Sequence, residues 1–316
     1  MDTARPKIVV LDDWENALRD HVDWTEIRSR AEVSICPHSL RDEVLIRAVA
    51  DADILVLLRE RTPVDAALIQ AMPSLRLIVC TGAHNRTLDI EAAEAADIQI
   101  AYTRGGPSKA STTELTWALI LAAKHRLTDI ALTSTRATWR QPETVLPSVL
   151  EGQRLGLIGL GEIGQRVAAV SQAFGMEVVA WSPHLTPERT QPFGVTCVSL
   201  EELLSTSDAI SLHLVPSPAT RHLINAQRLR LMKKDSILVN TSRAELIDTA
   251  ALVKALQTRT IGMCALDVFD KEPISADHPL LSQPNALLTP HHGFVCKEVM
   301  TTFAADIEKH LREYLM

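Results

Sequence analysis

The sequence has no long hydrophobic run. No apolar stretch reaches the roughly 18 residues that a bilayer-spanning helix needs, so no membrane span is predicted. It has no basic block either. The net charge is −7 with the signs interspersed, which argues against nucleic acid or an anionic membrane surface as the main partner. Cysteine is scarce: Cys36, Cys80, Cys197, Cys264 and Cys296 are scattered, odd in number and never spaced C-x-x-C. That pattern fits a reducing cytoplasm, with each thiol acting as a small buried hydrophobe. The opening "MDTARP" runs straight into the apolar "KIVVLD" with no signal-peptide pattern. Short repeats and low-complexity segments are absent.

What the chain does have is alternation. Its 316 residues, 46% hydrophobic, suggest two domains of ordinary size. "KIVVLD" (7–12), "DILVLL" (53–58), "LRLIVC" (75–80) and "IQIAY" (98–102) read as buried parallel strands with helix-like segments at 64–71 and 89–96 between them. A long helical pattern follows over 110–137, then the loop-like "TWRQPETVLPSVLEG". At residue 154 the alternation restarts. Strands are predicted in "RLGLIGL", "EVVAW", "DAISLHL", "SILVN", "GMCALDV" and "ALLTP", with helices at 162–173 and 297–314. Two successive series of this kind predict an α/β protein with two Rossmann-like, doubly wound parallel-sheet domains, the cut falling near residue 103.

The most specific local signal is "GLIGLGEIG", which places Gly159, Gly161 and Gly164 in G-x-G-x-x-G spacing between a strand and a helix. Gly159 permits a tight turn, Gly161 lets backbone approach a pyrophosphate, and Gly164 lets helix and strand pack closely. Glu162 and Ile163 complete the turn, and the helix N-terminus supplies amide hydrogens to phosphates. An acid is expected about 20 residues on, to hold the ribose hydroxyls. Ser182, followed by Pro183, stands there instead, with His184 and Arg189 close by. A carboxylate would repel a 2′-phosphate and serine would not, so NADP(H) is favoured over NAD(H). The alternative is a serine that bonds a ribose hydroxyl of NAD.

Three stretches add chemistry. "ILVNTSRAELID" sets Arg243 just after a strand, "CALDVFDKEP" sets Asp267 at a strand end with Glu272 five residues on, and "LTPHHGF" sets His291 at another strand end. Ligands collect outside the carboxyl ends of strands in open α/β sheets, so the arginine, carboxylate and histidine could converge there. In this order after the glycine turn, and with "LLRERTP", "IVCTGAHN", "TTELTWALILA" and "LHLVPSPATRHLI", they resemble the D-2-hydroxyacid dehydrogenase family, glyoxylate/hydroxypyruvate reductase-like, over nearly the whole chain.

The resemblance implies a substrate domain formed by 1–102 and a return segment 288–316, a dinucleotide-binding domain at 103–287, and a cleft between them. It implies reduction of a small 2-oxo acid to a D-2-hydroxy acid with NADP or NAD. Arg243 would offer its fork to the substrate carboxylate and 2-oxo oxygen, His291 would act as acid and base, and Glu272 would orient the imidazole and favour its protonated form. Backbone amides at Thr81, Gly82 and Ala83 would meet the substrate carboxylate, with Arg59 bordering the pocket. Asp267 would accept from the nicotinamide carboxamide. Val215, Pro216 and Thr220 would line the ribose and adenine side. Thr241 and Ser242 would flank the nicotinamide ribose, and Gly293 would join His291 beside the cofactor.

Ser242-Arg243-Ala244 departs from the family's frequent Ala-Arg-Gly. No metal is expected, because the adjacent His291 and His292 point to opposite faces and no ligand-spaced cluster lies near. His292 reads as a partly buried neighbour and His213 as a structural residue or one near the cofactor. A cytoplasmic homodimer is implied, with the 110–137 helix in its interface. Glu272 argues against formate dehydrogenase, whose equivalent position typically carries glutamine. A chain ending at 316 leaves no room for the regulatory domains that phosphoglycerate dehydrogenases often carry. The alternative from another class is a dinucleotide-sensing, corepressor-like binding protein with little turnover.

Overall fold

The computed structural model describes residues 5–130 and 146–316. The chain forms two compact units, Met1–Pro107 with Cys296–Met316, and Ser108–Val295.

In the first unit, strands β1 (Lys7–Leu11), β2 (Glu32–Ile35), β3 (Ile54–Leu57), β4 (Leu77–Cys80) and β5 (Gln99–Tyr102) form one parallel sheet in the order β2-β1-β3-β4-β5. The central strands β3 and β4 are buried at every residue, which is why their sequences are unbroken apolar runs. The sequence reading has no counterpart to β2. "EVSI" is an edge strand of four residues alternating exposed and half-buried, too short for a clear period. The C-terminal helix Lys297–Leu315 packs on the helices Ala17–His21 and Trp24–Arg30. Phe303, Ile307 and Leu311 form its buried face. Asp306, on the same helix, accepts from the Arg104 backbone at 2.8 Å and from the Arg104 guanidinium at 2.7 Å. Those bonds hold the Asp306 carboxyl below the usual carboxylate range.

In the second unit, β6 (Arg154–Ile158), β7 (Glu177–Trp181), β8 (Thr196–Cys197), β9 (Ala209–Leu212), β10 (Ile237–Asn240), β11 (Met263–Leu266) and β12 (Ala286–Leu288) form a parallel sheet ordered β12-β11-β10-β9-β6-β7-β8. Counted from its own first strand the order is 3-2-1-4-5-6-7, the dinucleotide-binding order extended by one strand. The order reverses between β6 and β9, so the crevice above those two strands is where this topology places a ligand. β8, a two-residue edge strand, has no counterpart in the sequence reading either.

The helix expected over 110–137 runs Ser108–Lys124 and gives way to a turn at 125–126, where Arg126 takes a positive φ of 54°. Residues 131–137 of that expectation, and 138–145 of the loop after it, lie outside the described residues. The units divide after Pro107 and Val295, not after 102 and 287 as the family resemblance implies. Residues 103–107 stay with the first unit through bonds such as Thr103 N–H to Cys80 C=O and Arg104 to Asp306. Residues 288–295 stay with the second, because Asp267 and Thr112 hold their backbone. His291 is therefore part of the same unit as the glycine turn. All five cysteines are free, with Cys80 and Cys264 buried and the other three half-buried. Among the described residues no helix is long and apolar enough to cross a membrane.

Candidate active site

The glycine turn leaves the end of β6 and opens the helix Glu162–Ala173. Gly159 has φ 103°, and a Cβ there would lie 2.7 Å from the His213 carbonyl oxygen. A Cβ on Gly164 would lie 2.3 Å from the Gly159 carbonyl oxygen, so helix and strand meet with no room for a side chain. Gly161 differs: a Cβ there meets nothing of the protein within 4 Å, and its backbone suits any residue. Packing does not demand a glycine at that position. Close approach by an outside group does. No side chain caps this helix, so its first amides are directed outward, the donor set that a phosphate requires. The residues therefore fit a dinucleotide. Glu162, exposed on the first turn, pairs with Lys109 and with Arg166, and the Lys109 bond holds its carboxyl below the usual range. Ile163 turns the other way and packs on the core.

The carboxyl ends of β10, β11 and β12 lie side by side, and each carries one of the predicted residues. His291 Nδ1 is 2.7 Å from Glu272 Oε2, and the other Glu272 oxygen accepts from the Phe269 N–H at 2.9 Å. A carboxylate only accepts, so Nδ1 carries the hydrogen and Nε2 is the ring nitrogen that Glu272 does not engage. His291 has φ 53°, a left-handed conformation that costs a non-glycine residue about 1–2 kcal/mol. Asp267 secures the turn in which it sits. Its Oδ1 accepts from Thr289 Oγ1 at 2.5 Å and from the His292 N–H at 2.7 Å, and its Oδ2 from the Gly293 N–H at 2.8 Å. Burial pushes the Asp267 carboxyl up, against those three hydrogen bonds. The sequence reading assigns Asp267 to a carboxamide; the structure adds that both of its oxygens hold the histidine's turn. His292, expected to be partly buried, is exposed, and its backbone makes the structural contact.

Arg243 follows β10 in an extended conformation, with its Nη1 donating to the Ser242 carbonyl at 2.9 Å. The neighbouring hydroxyls are already engaged: Thr241 Oγ1 lies 2.8 Å from Thr116 Oγ1, and Ser242 Oγ donates to the Leu214 carbonyl at 2.5 Å. Thr220 is buried, and its hydroxyl staples its own loop through Ser217 N–H at 2.8 Å and Ser217 Oγ at 3.0 Å. Of that loop, Val215 stands exposed and Pro216 half-buried. At the end of β7, Ser182 closes a turn by accepting from the Leu185 N–H at 3.1 Å, with Pro183 exposed. Arg189 Nη1 donates to the His184 carbonyl at 2.9 Å, which keeps a guanidinium beside this turn. His213, bonded through Nε2 to Ser211 Oγ at 2.9 Å, is lowered by burial to a pKa of about 4 and is neutral at physiological pH.

In the first unit, Arg59 (φ 55°) lies across Gly82 so closely that a Cβ on Gly82 would fall 1.7 Å from Arg59 Nη1. Arg59 N–H donates to Thr81 Oγ1 at 2.7 Å, and Nη1 to the Thr81 carbonyl at 3.2 Å. Of the three amides expected to meet a substrate carboxylate, two are engaged internally. Thr81 N–H donates to the Leu57 carbonyl and Gly82 N–H to Thr103 Oγ1 at 2.8 Å. The exposed Ala83 is the one with an amide still to offer. Among the described residues no group of three or more His, Cys, Asp or Glu could hold a metal ion. The sequence reading passed over Asn240, whose signal was an asparagine closing a buried strand two residues before a Ser-Arg pair.

Residues 117–293 match the model of the D-isomer specific 2-hydroxyacid dehydrogenase NAD-binding domain. The chain is 38% identical over 276 residues to a glyoxylate reductase of Aeropyrum pernix, covering 85% of this chain and 82% of that one. It is 37% identical over 278 residues to a D-3-phosphoglycerate dehydrogenase of Methanocaldococcus jannaschii, covering 86% of this chain but 52% of the other, so it spans about half the length of that relative. Among solved structures, a phosphoglycerate oxidoreductase of Vibrio cholerae superposes with a TM-score of 0.89 at 34% identity, covering 98% of this chain and 99% of that one.

Proposed function

Because the chain belongs to the D-isomer specific 2-hydroxyacid dehydrogenase family, whose NAD-binding domain it carries, we propose that it reduces a small 2-oxo acid to the D-2-hydroxy acid with His291 as the acid. The observation that carries the reading is the 2.7 Å contact between His291 Nδ1 and Glu272 Oε2, at the carboxyl edge of the sheet whose first strand opens on the glycine turn. A bound nicotinamide dinucleotide supplies the hydride for the 2-carbon. The chain must then place a proton on the 2-oxo oxygen. Glu272 holds Nδ1–H, so Nε2 gives up the proton in reduction and takes it back in oxidation. Arg243 offers a permanent positive fork to the oxygens of the acid. Within the first unit, the Ala83 amide and the Arg59 guanidinium are the groups suited to the substrate carboxylate.

The first turn of the Glu162–Ala173 helix would hold the pyrophosphate and the Ser182–Pro183 turn the adenosine ribose. Arg189, kept beside a turn that lacks a carboxylate, supports NADP over NAD. A second copy of the chain is the expected partner, a reading supported by exposed Leu127, Ile130, Leu146 and Val149.

A panel of 2-oxo acids assayed with NADPH and NADH separately tests the reading. Turnover of glyoxylate or hydroxypyruvate, faster with NADPH, is expected. Tight dinucleotide binding with no turnover of any acid would replace it with a sensing protein. Ser182→Asp should move the ratio of the two efficiencies toward NADH, and an unmoved ratio would remove the 2′-phosphate argument.

A further inference from the structure

We infer that Asn240 is the positioning residue of Arg243, through a turn that its side chain closes from both ends. Asn240 is the last residue of β10 and is 1% exposed. Its Nδ2–H donates to the Arg243 carbonyl at 2.8 Å, and its Oδ1 accepts from the Ser242 N–H at 2.9 Å. Its own carbonyl accepts from the Asp267 N–H at 2.9 Å. Asp267 in turn holds the backbone on the far side of His291. The buried side-chain amide thus closes the arginine's turn, while the backbone of the same residue joins it, by a bond between neighbouring strands, to the strand end that governs the histidine's turn.

The chemistry demands this residue type. The turn needs one acceptor and one donor on a side chain two bonds from the backbone, in a place from which water is excluded. Aspartate supplies two acceptors, and its ionised oxygen would face the Arg243 carbonyl oxygen. Protonated aspartate would restore the donor. Alanine would leave the Ser242 N–H without its acceptor and take the shorter of two donors from the Arg243 carbonyl, which keeps the Leu246 N–H at 3.4 Å, so the turn from 240 to 243 would lose both side-chain bonds that close it. A guanidinium on a long stem is only as well placed as the backbone that carries it.

The inference rests on the reading that Arg243 binds the acid, and the test separates the two. Oxalate, a planar analogue of a 2-oxo acid that cannot be reduced, is titrated calorimetrically onto the NADPH-loaded protein, for wild type, Asn240→Asp, Asn240→Ala and Arg243→Lys. Thermal unfolding and NADPH affinity are measured alongside. Loss of one buried hydrogen bond at the turn should weaken oxalate binding by about tenfold in Asn240→Asp at about pH 8. Affinity should recover toward wild type at about pH 5, while NADPH affinity stays at the wild-type value. Recovery at low pH decides the matter even when Asn240→Ala does not fold. Wild-type oxalate affinity in Asn240→Asp, with Arg243→Lys weakened, overturns the inference and leaves the reading standing. An equal fall of NADPH affinity and oxalate affinity overturns it as well, because the residue would then serve the fold at large. Wild-type affinity in Arg243→Lys overturns the reading and the inference together.

Discussion

Glu272→Gln isolates what the carboxylate charge contributes, because the amide keeps the length of the side chain and one acceptor oxygen. In the native site the Glu272 Oε2 to His291 Nδ1 bond is 2.7 Å, and the side chains are 26% and 30% exposed. A charge-assisted bond contributes about 1.5–3 kcal/mol against about 1 kcal/mol for a neutral one. The partial exposure of both groups trims the difference through solvent screening. The net loss should be about 0.5–1.5 kcal/mol in the transition state, where the imidazole carries its proton toward the substrate oxygen. At 1.36 kcal/mol per decade that is roughly a 2- to 13-fold fall in kcat/KM for 2-oxo acid reduction. The fall should lie mainly in kcat. The affinity for the dinucleotide should hold, because the amide oxygen stays on His291 Nδ1 and the bond given up, from the Phe269 N–H, lies within the 269–272 turn and not in the glycine turn. The assay is steady-state oxidation of NADPH against varied glyoxylate, with cofactor affinity measured separately by fluorescence. A kcat/KM within twofold of wild type would refute the charge's role. A loss confined to cofactor affinity would show the residue to be a support of the fold.

Two glycines of the same turn should respond in opposite ways. Gly161→Ala should leave thermal stability unchanged, since its Cβ meets no protein atom, yet weaken dinucleotide binding by tenfold or more, on the order of the overpacking cost. Gly164→Ala should destabilise the unit by about 1–3 kcal/mol in denaturant titration, because its Cβ would press on the Gly159 carbonyl. The reverse pattern would refute the phosphate approach. His213 supplies a pH dependence. Its folded pKa of about 4 lies below the ordinary 6.5, so its contribution to stability is complete above 6.5 and is lost as pH falls toward 4. Part of the residue reaches solvent, so the loss between about pH 7 and about pH 5 is at most about 2 kcal/mol. His213→Gln should lose that share of the acid sensitivity in a stability–pH profile. A profile parallel to wild type would show that the imidazole is not held neutral.

The central strands were legible because strands covered on both faces must be apolar throughout, as "DILVLL" and "LRLIVC" are. The edge strands Glu32–Ile35 and Thr196–Cys197 were not, because an edge needs little burial and their few residues establish no period. The G-x-G-x-x-G turn was legible as spacing, and Glu272, His291 and Arg243 as residue types at strand ends. What each polar atom is occupied with was not. Thr220, Thr241 and Ser242 read as residues that flank a dinucleotide, and only the fold adds that their hydroxyls bond to Ser217, Thr116 and Leu214. Asp267 reads as a cofactor acceptor, and the letters do not show that it also anchors the histidine's turn. The same blindness hid Asn240, whose role depends on two backbone groups that only the folded turn brings within 3 Å of it.

The proton carrier is the heart of the account, and the most direct test of it is single-turnover reduction by His291→Ala preloaded with NADPH. Cofactor affinity should match wild type, and the rate of 2-oxo acid reduction should fall by about 10²–10⁴, the usual worth of a placed general acid. Reduction at the wild-type rate would contradict it and send the search for the proton donor elsewhere in the chain.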